Sequence, residues 1–194
     1  MGNETRILRL ENDHKALLNI DRKSPYISIE PLSGKPPYKY MITYKILGYV
    51  NESGATRSIH HVDMLLPEGY PISDPPEFIF RENLWHPNVF TDGKVCLGLT
   101  TSNWNYGFDI DQLIYDVGNM VRFSQNSINL KSIARVNLSK NAWETWIDNH
   151  RVPLTDIDFN VSDSPIITIK KKDNRPEIKI RSPKEKPKIK VTIK

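Results

Sequence analysis

The sequence predicts an α+β domain in which one helix precedes a four-stranded antiparallel meander. Over the first twenty residues, apolar positions recur at three- and four-residue steps, as in an amphipathic helix. Four segments rich in β-branched and aromatic residues follow, separated by turns that contain Gly or Pro. After a long segment without clear periodicity, two further helical patterns complete the predicted domain.

The N-terminal helix is expected to pack on the domain through one apolar stripe. Asn3 or Thr5 could cap its start. The opposite face carries Arg6, Arg9 and Lys15, basic side chains that are also able to meet a partner. The predicted stripe consists of Ile7, Leu10, His14, Leu17 and Leu18.

The four predicted strands are 26–29, 40–47, 59–66 and 77–80. Turns at 34–37 and 51–54 separate the first three strands, and a proline-rich stretch precedes the fourth. Two helices follow, over 109–123 and 138–150. Asp109 is the expected cap of the first of these helices. The residues predicted to be buried are Ile110, Leu113, Ile114, Val117 and Val121 in the first, Ala142, Trp143, Trp146 and Ile147 in the second, and Trp85 and Trp104 before them.

The last thirty residues contain a repeat. Pro165, Pro176 and Pro187 are eleven residues apart, and each begins a Pro-x-Ile-x-Ile/Val unit that predicts a short strand. This pattern suggests a domain of residues 1–152 followed by a basic tail of residues 153–194. In one interpretation, each repeat adds as a strand to the edge of a partner's sheet, and the tail thereby binds an adaptor or a ligase. A small meander on the domain or a solvated basic tail is the alternative.

Charge is distributed unevenly along the chain. Residues 166–194 hold eleven Lys/Arg against three Asp/Glu, whereas residues 1–165 hold sixteen against twenty. A nucleic-acid partner is therefore not expected, because only the tail could supply a basic surface. No apolar run is long enough to cross a bilayer, and the N-terminus has no apolar signal region, so we expect a cytoplasmic protein with no membrane partner.

Cysteine and histidine usage excludes two kinds of site. The chain has one cysteine, which rules out an intrachain disulfide and a cysteine-based zinc site. His60 and His61 are adjacent on a predicted strand, where neighbouring side chains point to opposite faces. We therefore expect no metal.

The only thiol, Cys96, lies in the segment 84–99, which reads Leu-Trp-His-Pro-Asn-Val-Phe-Thr-Asp-Gly-Lys-Val-Cys-Leu-Gly-Leu. Asn88 precedes Cys96 by eight residues, and Trp104 follows it by eight. A His-Pro-Asn tripeptide by itself is a weak signal. Here it is informative because its spacing to Cys96 and to Trp104 matches a known pattern. This segment resembles the active-site segment of ubiquitin-conjugating enzymes. The resemblance continues through Gly69-Tyr70-Pro71 and 74–80, and covers residues 3–150 in order.

The resemblance implies a fold, a reaction and a set of partners. Cys96 would carry a ubiquitin-like protein as a thioester, received from an activating enzyme, and pass it to an amine of a protein target. Asn88 would be the second catalytic residue, donating from its amide to the tetrahedral oxyanion. His86 and Pro87 would support the loop. Thioester exchange is close to energy-neutral, so no cofactor is expected.

Three departures from the family pattern indicate a divergent member, which we expect to belong to a prokaryotic ubiquitin-like conjugation system. Gly98 stands where an acidic residue is common. Asn105-Tyr106-Gly107 replaces a loop that helps to dock ring-type ligases, and 123–127 replaces an acidic loop that helps to position the incoming lysine. These changes bear on ligase docking and lysine preference more than on thioester formation.

Two other functions fit the same sequence. A non-catalytic relative of this fold would only bind a ubiquitin-like protein, although such relatives usually lack the thiol. A cysteine hydrolase would need His60, His61 or His86 as a base within hydrogen-bond reach of Cys96.

Overall fold

The computed structural model describes residues 2–99, 104–105, 107–157 and 159, together with the backbone alone of residues 167–172 and 175–180. For Gly2 and Asn3, too, only the backbone is described. Internal contacts divide the chain into two units, Met1–Ile157 and Asp158–Lys194. The boundary after residue 152 stays a prediction. Leu154 and Thr155 belong to the first unit, where the Leu154 amide donates to the Arg122 carbonyl and the Arg122 side chain donates to the Thr155 carbonyl.

Helix α1 spans Gly2–Lys23, so the predicted helix is present and begins before both expected caps. Its buried face is rotated from the predicted stripe. Ile7 and Leu18 are exposed, whereas Asp13 is buried. The reason is that Asp13 has a strong partner inside, the Tyr70 hydroxyl, which donates to it over 2.5 Å. The residues that α1 buries are Leu10, Asp13, Leu17 and Ile20.

The main sheet is the predicted four-stranded antiparallel meander, in the order β1-β2-β5-β6. The fourth strand matches its predicted bounds, whereas β1 extends further toward the turn and β2 begins and ends earlier than predicted. A two-stranded ribbon, β3 with β4, occupies the connection between β2 and β5 and was not predicted, because each of its strands has only two residues. The strands are β1 Ile27–Gly34, β2 Pro37–Tyr44, β3 Gly48–Tyr49, β4 Thr56–Arg57, β5 His60–Leu65 and β6 Glu77–Phe80.

One face of this sheet is buried and the other is partly exposed among the described residues. On β2, Tyr40, Ile42 and Tyr44 are buried while the residues between them are partly exposed, the alternation of a sheet packed on one side. Helices α1 and α2 contact each other, and α1 also contacts β1 and β2. The Tyr44 hydroxyl donates to the carbonyl of Ile114, which joins the sheet to the next helix.

Helix α2 spans Ile110–Val121 and buries all five residues predicted for it. Asp109 occupies the expected cap position, but its side chain makes no capping hydrogen bond. Helix α3 spans Lys140–Asp148 and is capped by Ser139, whose hydroxyl accepts from the Ala142 amide over 3.2 Å. A 3₁₀ turn at Gln125–Ser127 lies between the two helices.

A second core lies beneath α3. The four tryptophans predicted to be core are all buried, and Trp85, Trp143 and Trp146 gather around Tyr49 and Phe123. Ala142 and Ile147, also predicted to be buried, are only half-buried, because α3 is short and packs through its two tryptophans. This aromatic core joins Trp85 and Phe123 to α3.

The second unit contains a β-hairpin, β7 (Ile167–Lys172) with β8 (Arg175–Ile180). The strands pair antiparallel, so that Ile167 faces Ile180 and Ile169 faces Ile178 across the ladder. The third repeat, residues 187–191, lies outside the described residues. Across the part of the chain that is described, no helix is long and apolar enough to cross a membrane.

Candidate active site

Cys96 lies at the end of an extended segment, 93–96, that is held on both sides. On one side the Phe80 amide donates to the Gly93 carbonyl, and the Val95 amide donates to the Phe78 carbonyl of β6. On the other side the Cys96 amide donates to the Asn88 carbonyl over 2.8 Å. The thiol is free and half-buried. The backbone of the cysteine is therefore fixed by the edge of the sheet and by the His-Pro-Asn loop together.

The turn before the cysteine depends on Gly93. Its φ is +88°, and a Cβ placed there would come within 2.3 Å of the Phe80 carbonyl oxygen. The Gly93 amide closes the turn by donating to Phe90, and the Asp92 side chain accepts from the Lys94 amide. Only glycine fits this backbone and this space. An Asp-Gly pair is typical of a turn of this kind.

His86 is fully buried and braces the loop. Its Nδ1 accepts from the Asn88 amide over 3.1 Å, so the ring is the Nε2–H tautomer and donates to the Ser127 hydroxyl over 3.2 Å. Burial, and secondarily the positive charge of Arg135, lowers the pKa of His86 to about 3. The ring is therefore neutral at physiological pH, and both of its nitrogens are already in hydrogen bonds.

Asn88 has its side chain committed to a neighbouring loop. Its Nδ2 donates to the carbonyls of Asn129 and Ser132, over 2.9 and 2.7 Å, and its Oδ1 accepts from the Asn129 amide over 2.8 Å. An oxyanion donor must offer a free N–H, and both N–H groups of this amide are occupied. The Asn88 backbone thus contacts Cys96 and the Asn88 side chain holds residues 129–132, while the oxyanion-donor role of Asn88 stays a prediction.

Arg135 is a residue of this site that the sequence pattern did not reveal. Its guanidinium stacks over Trp85, 5.1 Å from the ring centre, and its Nη2 donates to Asn83, Leu84 and Phe90. The Pro87 carbonyl accepts from the amides of Ala134 and Arg135. No local motif marks an arginine that folds back from forty residues away, so only the tertiary structure could reveal it.

Trp104 ties the segment after the cysteine to the body. Its indole N–H donates to the Pro71 carbonyl over 2.7 Å, and its ring lies 5.8 Å from that of Tyr70. Tyr70 in turn donates to Asp13 of α1, and Arg9 forms an ion pair with that carboxylate. The Tyr-Pro pair and the tryptophan, two separate parts of the sequence resemblance, therefore meet in one hydrogen-bonded group.

The basic face expected on α1 is largely used inside the molecule. Arg6 donates to the carbonyls of Leu66, Pro67 and Glu68, and Arg9 binds Asp13 and the Phe108 carbonyl. These two arginines fasten the helix to the loops on either side of the cysteine segment. Of the three basic residues of α1 that we expected to be able to meet a partner, Lys15 is the one left for that role.

None of the five histidines forms a described hydrogen bond with Cys96. His61 pairs with Glu82 over 2.6 Å, and His60 is buried with its Nε2 against the Arg57 carbonyl. These described contacts therefore provide no histidine that could act as the base of a cysteine hydrolase. No group of three or more His, Cys, Asp or Glu side chains could hold a metal ion, as far as residues with described positions are concerned.

Comparison with known proteins gives a consistent family assignment. A family model described as "Ubiquitin-conjugating enzyme" matches residues 16–150. The Arabidopsis thaliana protein "Ubiquitin-conjugating enzyme E2 14" is 53% identical over 36 residues, which cover 19% of this chain and 21% of that protein. The Schizosaccharomyces pombe protein "Ubiquitin-conjugating enzyme E2-20 kDa" is 29% identical over 83 residues, covering 43% and 47%. The chain thus matches less than half the length of these curated relatives.

Solved structures of the family are also similar to this chain. A Plasmodium vivax ubiquitin-conjugating enzyme E2 is 20% identical with a TM-score of 0.46, over 58% of this chain and 98% of that one. The human ubiquitin-conjugating enzyme E2 G1 is 18% identical with a TM-score of 0.44, over 56% and 90%. The family model covers well over half of the sequence, and the chain belongs to the ubiquitin-conjugating enzyme family.

Proposed function

We propose that Cys96 accepts a ubiquitin-like protein as a thioester from an activating enzyme and transfers it to a lysine amine of a protein target. The observation that carries the proposal is the free, half-buried thiol on a backbone fixed by β6 and by Asn88. A nucleophile held in this way keeps its position through charging and discharge.

The chemistry of a thiol suits this transfer. Thiolate is both a good nucleophile and a good leaving group, which a serine hydroxyl is not. Exchange between thioesters is nearly energy-neutral, so the chain needs no nucleotide or cofactor of its own. The buried, neutral His86 also favours transfer over hydrolysis, because both ring nitrogens are engaged and neither can activate water.

The proposal includes the partners and the location of the protein. The ubiquitin-like protein, its activating enzyme and a protein target are required by the reaction, and the protein acts in the cytoplasm. The prokaryotic origin expected from the departures in the loops stays a prediction. A non-catalytic binding module of the same fold is the competing function, and it requires Cys96 to remain unmodified.

The test is the intact mass of the protein isolated from its source cells under acidic, non-reducing conditions. We expect an adduct of ubiquitin-like size that added thiol removes. Cys96→Ser should convert it to a thiol-resistant ester, and Cys96→Ala should abolish it, because only an oxygen or sulfur at this position can hold the acyl group. An unmodified mass in cells that express the activating enzyme would favour the binding module.

We infer that Asn88 acts as a positioning residue, through the loop that its side chain holds. Its backbone carbonyl accepts from the Cys96 amide, and its side-chain amide donates to the carbonyls of Asn129 and Ser132. Asn88 thus connects the cysteine to residues 129–132. Its side chain is almost fully buried, whereas its partners Asn129 and Ser132 are exposed, so water would compensate the loss of these hydrogen bonds only in part.

Replacing Asn88 with Ala should therefore weaken both the fold and the transfer. We expect the free energy of unfolding to fall by roughly 2–3 kcal/mol, since two carbonyls and one amide lose a buried partner. The thioester should still form, discharge to free lysine should slow, and the Asn129 amide should exchange with solvent faster. Slowed discharge by about a hundredfold or more with unchanged stability and exchange would instead establish the oxyanion-donor role.

A further inference from the structure

The side chain of Arg135 bonds to both ends of the loop that contains the His-Pro-Asn tripeptide. Its Nη2 donates to the Asn83 Oδ1 over 3.0 Å and to the Leu84 carbonyl over 2.9 Å, just before the tripeptide. The same nitrogen donates over 3.4 Å to the Phe90 carbonyl, two residues after the tripeptide. One side chain therefore fixes the separation between the two ends of the loop 83–90.

The middle of this loop is held by the backbone of the same segment. The amides of Ala134 and Arg135 both donate to the Pro87 carbonyl, over 2.9 and 3.0 Å. The guanidinium also lies over the Trp85 ring, 5.1 Å from its centre. A guanidinium is planar, so stacking on a ring fixes the directions of its N–H groups. The stacking therefore helps to keep Nη2 directed at the ends of the loop.

The loop that Arg135 holds is also the one that holds the cysteine segment. The Cys96 amide donates to the Asn88 carbonyl over 2.8 Å, and the Phe90 amide donates to the Lys94 carbonyl over 2.9 Å. Phe90 thus accepts from Arg135 through its carbonyl and bonds to the cysteine segment through its amide. A displacement of this loop is therefore passed directly to the backbone of the proposed nucleophile.

The stability of the core does not explain why this side chain is an arginine. Arg135 is only 4% exposed, and burial lowers the pKa of its guanidinium. None of the described ion pairs includes it, and its Nε has no hydrogen-bond partner among the described residues. Burying a charge without an opposite charge beside it is costly, and an apolar side chain would fill the same space without that cost. What only a guanidinium supplies here is the set of hydrogen bonds to the loop.

We propose that the stacked guanidinium of Arg135 positions Cys96 for acyl transfer by fixing the loop 83–90. The inference rests on the thioester of the proposed function and adds a positioning residue to it. Arg135 acts through Asn88 and Phe90, and it neither gives nor takes a proton in the reaction. A misplacement of about 1 Å can slow a reaction by about a hundredfold, so a loosened loop should slow transfer without weakening the binding of the acceptor amine.

The test is the discharge of the thioester to free lysine, measured on the thiol-sensitive adduct isolated from the source cells at acidic pH. Arg135→Met keeps an unbranched apolar side chain beside Trp85 but removes every side-chain hydrogen bond to the loop. We expect the maximal rate at saturating lysine to fall by about tenfold or more, while the lysine concentration that gives the half-maximal rate stays unchanged. The Phe90 and Cys96 amides should also exchange with solvent faster, because the loop that fixes them is released.

Arg122→Met is the matched control for the loss of a buried arginine. Arg122 is 8% exposed, and its side chain donates to Asn119, Ser124 and Thr155, so no described bond from this side chain reaches the loop 83–90. Both substitutions remove buried hydrogen bonds, and both should lower the thermal midpoint. Each protein is therefore assayed at the same interval below its own midpoint, where the control should discharge at the rate of the natural protein.

Equal discharge by the two methionine variants would overturn the proposal, as would natural exchange rates of the Phe90 and Cys96 amides in Arg135→Met. If Arg135→Met does not fold or does not become charged, Arg135→Lys replaces it, since lysine keeps the buried charge but has no planar group to stack on Trp85. Its maximal rate should fall below that of the natural protein, and an unchanged rate would exclude a role for the stacked guanidinium. If the natural protein yields no thiol-sensitive adduct, the proposed function itself fails, which is distinct from a thioester that discharges normally without the guanidinium.

Discussion

His86 shows how one buried side chain couples the proposed active site to the stability of the fold. The ring is fully buried and links the Asn88 amide to the hydroxyl of Ser127. Ser127 passes the connection on to the Ser124 carbonyl just after α2. The proton state of this ring therefore affects both the His-Pro-Asn loop and the segment after the helix.

Acid should destabilise the protein through His86. Burial lowers its pKa to about 3, compared with about 6.5 in an unfolded chain, so protonation favours the unfolded state. The contribution of the neutral ring to stability is complete above about pH 6.5 and is lost as the pH falls toward 3. Between pH 7.5 and pH 5 we expect this residue to remove about 2 kcal/mol from the free energy of unfolding.

Urea unfolding at several pH values measures this effect. His86→Asn keeps an acceptor for the Asn88 amide but does not titrate, so its free energy of unfolding should fall less steeply with acid than that of the natural protein. The comparison uses the slope against pH, because the substitution also changes the absolute stability. Parallel slopes for the two proteins would show that His86 takes up a proton in the folded state as readily as in the unfolded state.

At the scale of elements, the hairpin of the tail is the part whose role is least tied to the proposed chemistry. In its register, Ile167 faces Ile180 and Ile169 faces Ile178, so that two of the three repeats align their isoleucines. A two-stranded ribbon alone is marginally stable in water and gains by adding a strand or an apolar surface. We propose that an adaptor or a ligase supplies this partner, bound by strand addition.

Deleting residues 165–194 should separate targeting from chemistry. We expect the thermal midpoint of the remaining protein, its charging at Cys96 and its discharge to free lysine to be unchanged. Modification of protein targets in the source cells should fall, because the repeats no longer bind the adaptor. A lower thermal midpoint together with unchanged target modification would mean that the tail stabilises the body and does not dock a partner.

At the scale of the whole molecule, the first unit has two cores that serve different purposes. The core between the sheet and helices α1 and α2 positions β6, on which the cysteine segment is held. The aromatic core beneath α3 holds Trp85 and Phe123, and the ring of His86 lies 4.8 Å from that of Phe123. The proposed nucleophile lies where segments anchored in both cores meet, and its position therefore depends on each.

The sequence by itself determined the family, the fold class and the candidate nucleophile. The features that carry these conclusions act over short distances: the β-branched and aromatic residues of the strands, the turns between them, the apolar face of α2, and the fixed spacing of Asn88, Cys96 and Trp104. Local periodicity and turn chemistry are properties of neighbouring residues, so they can be predicted without the fold.

Tertiary structure alone decided which partners the polar side chains have. The rotated face of α1 follows from Tyr70 binding Asp13 across 57 residues, and the hydrogen bonds of Asn88 follow from a loop 41 residues away. Arg135 is connected to Asn83 over 52 residues. A buried polar group must find a partner wherever the chain brings one, and that choice depends on the packing of the whole domain and not on neighbours in sequence.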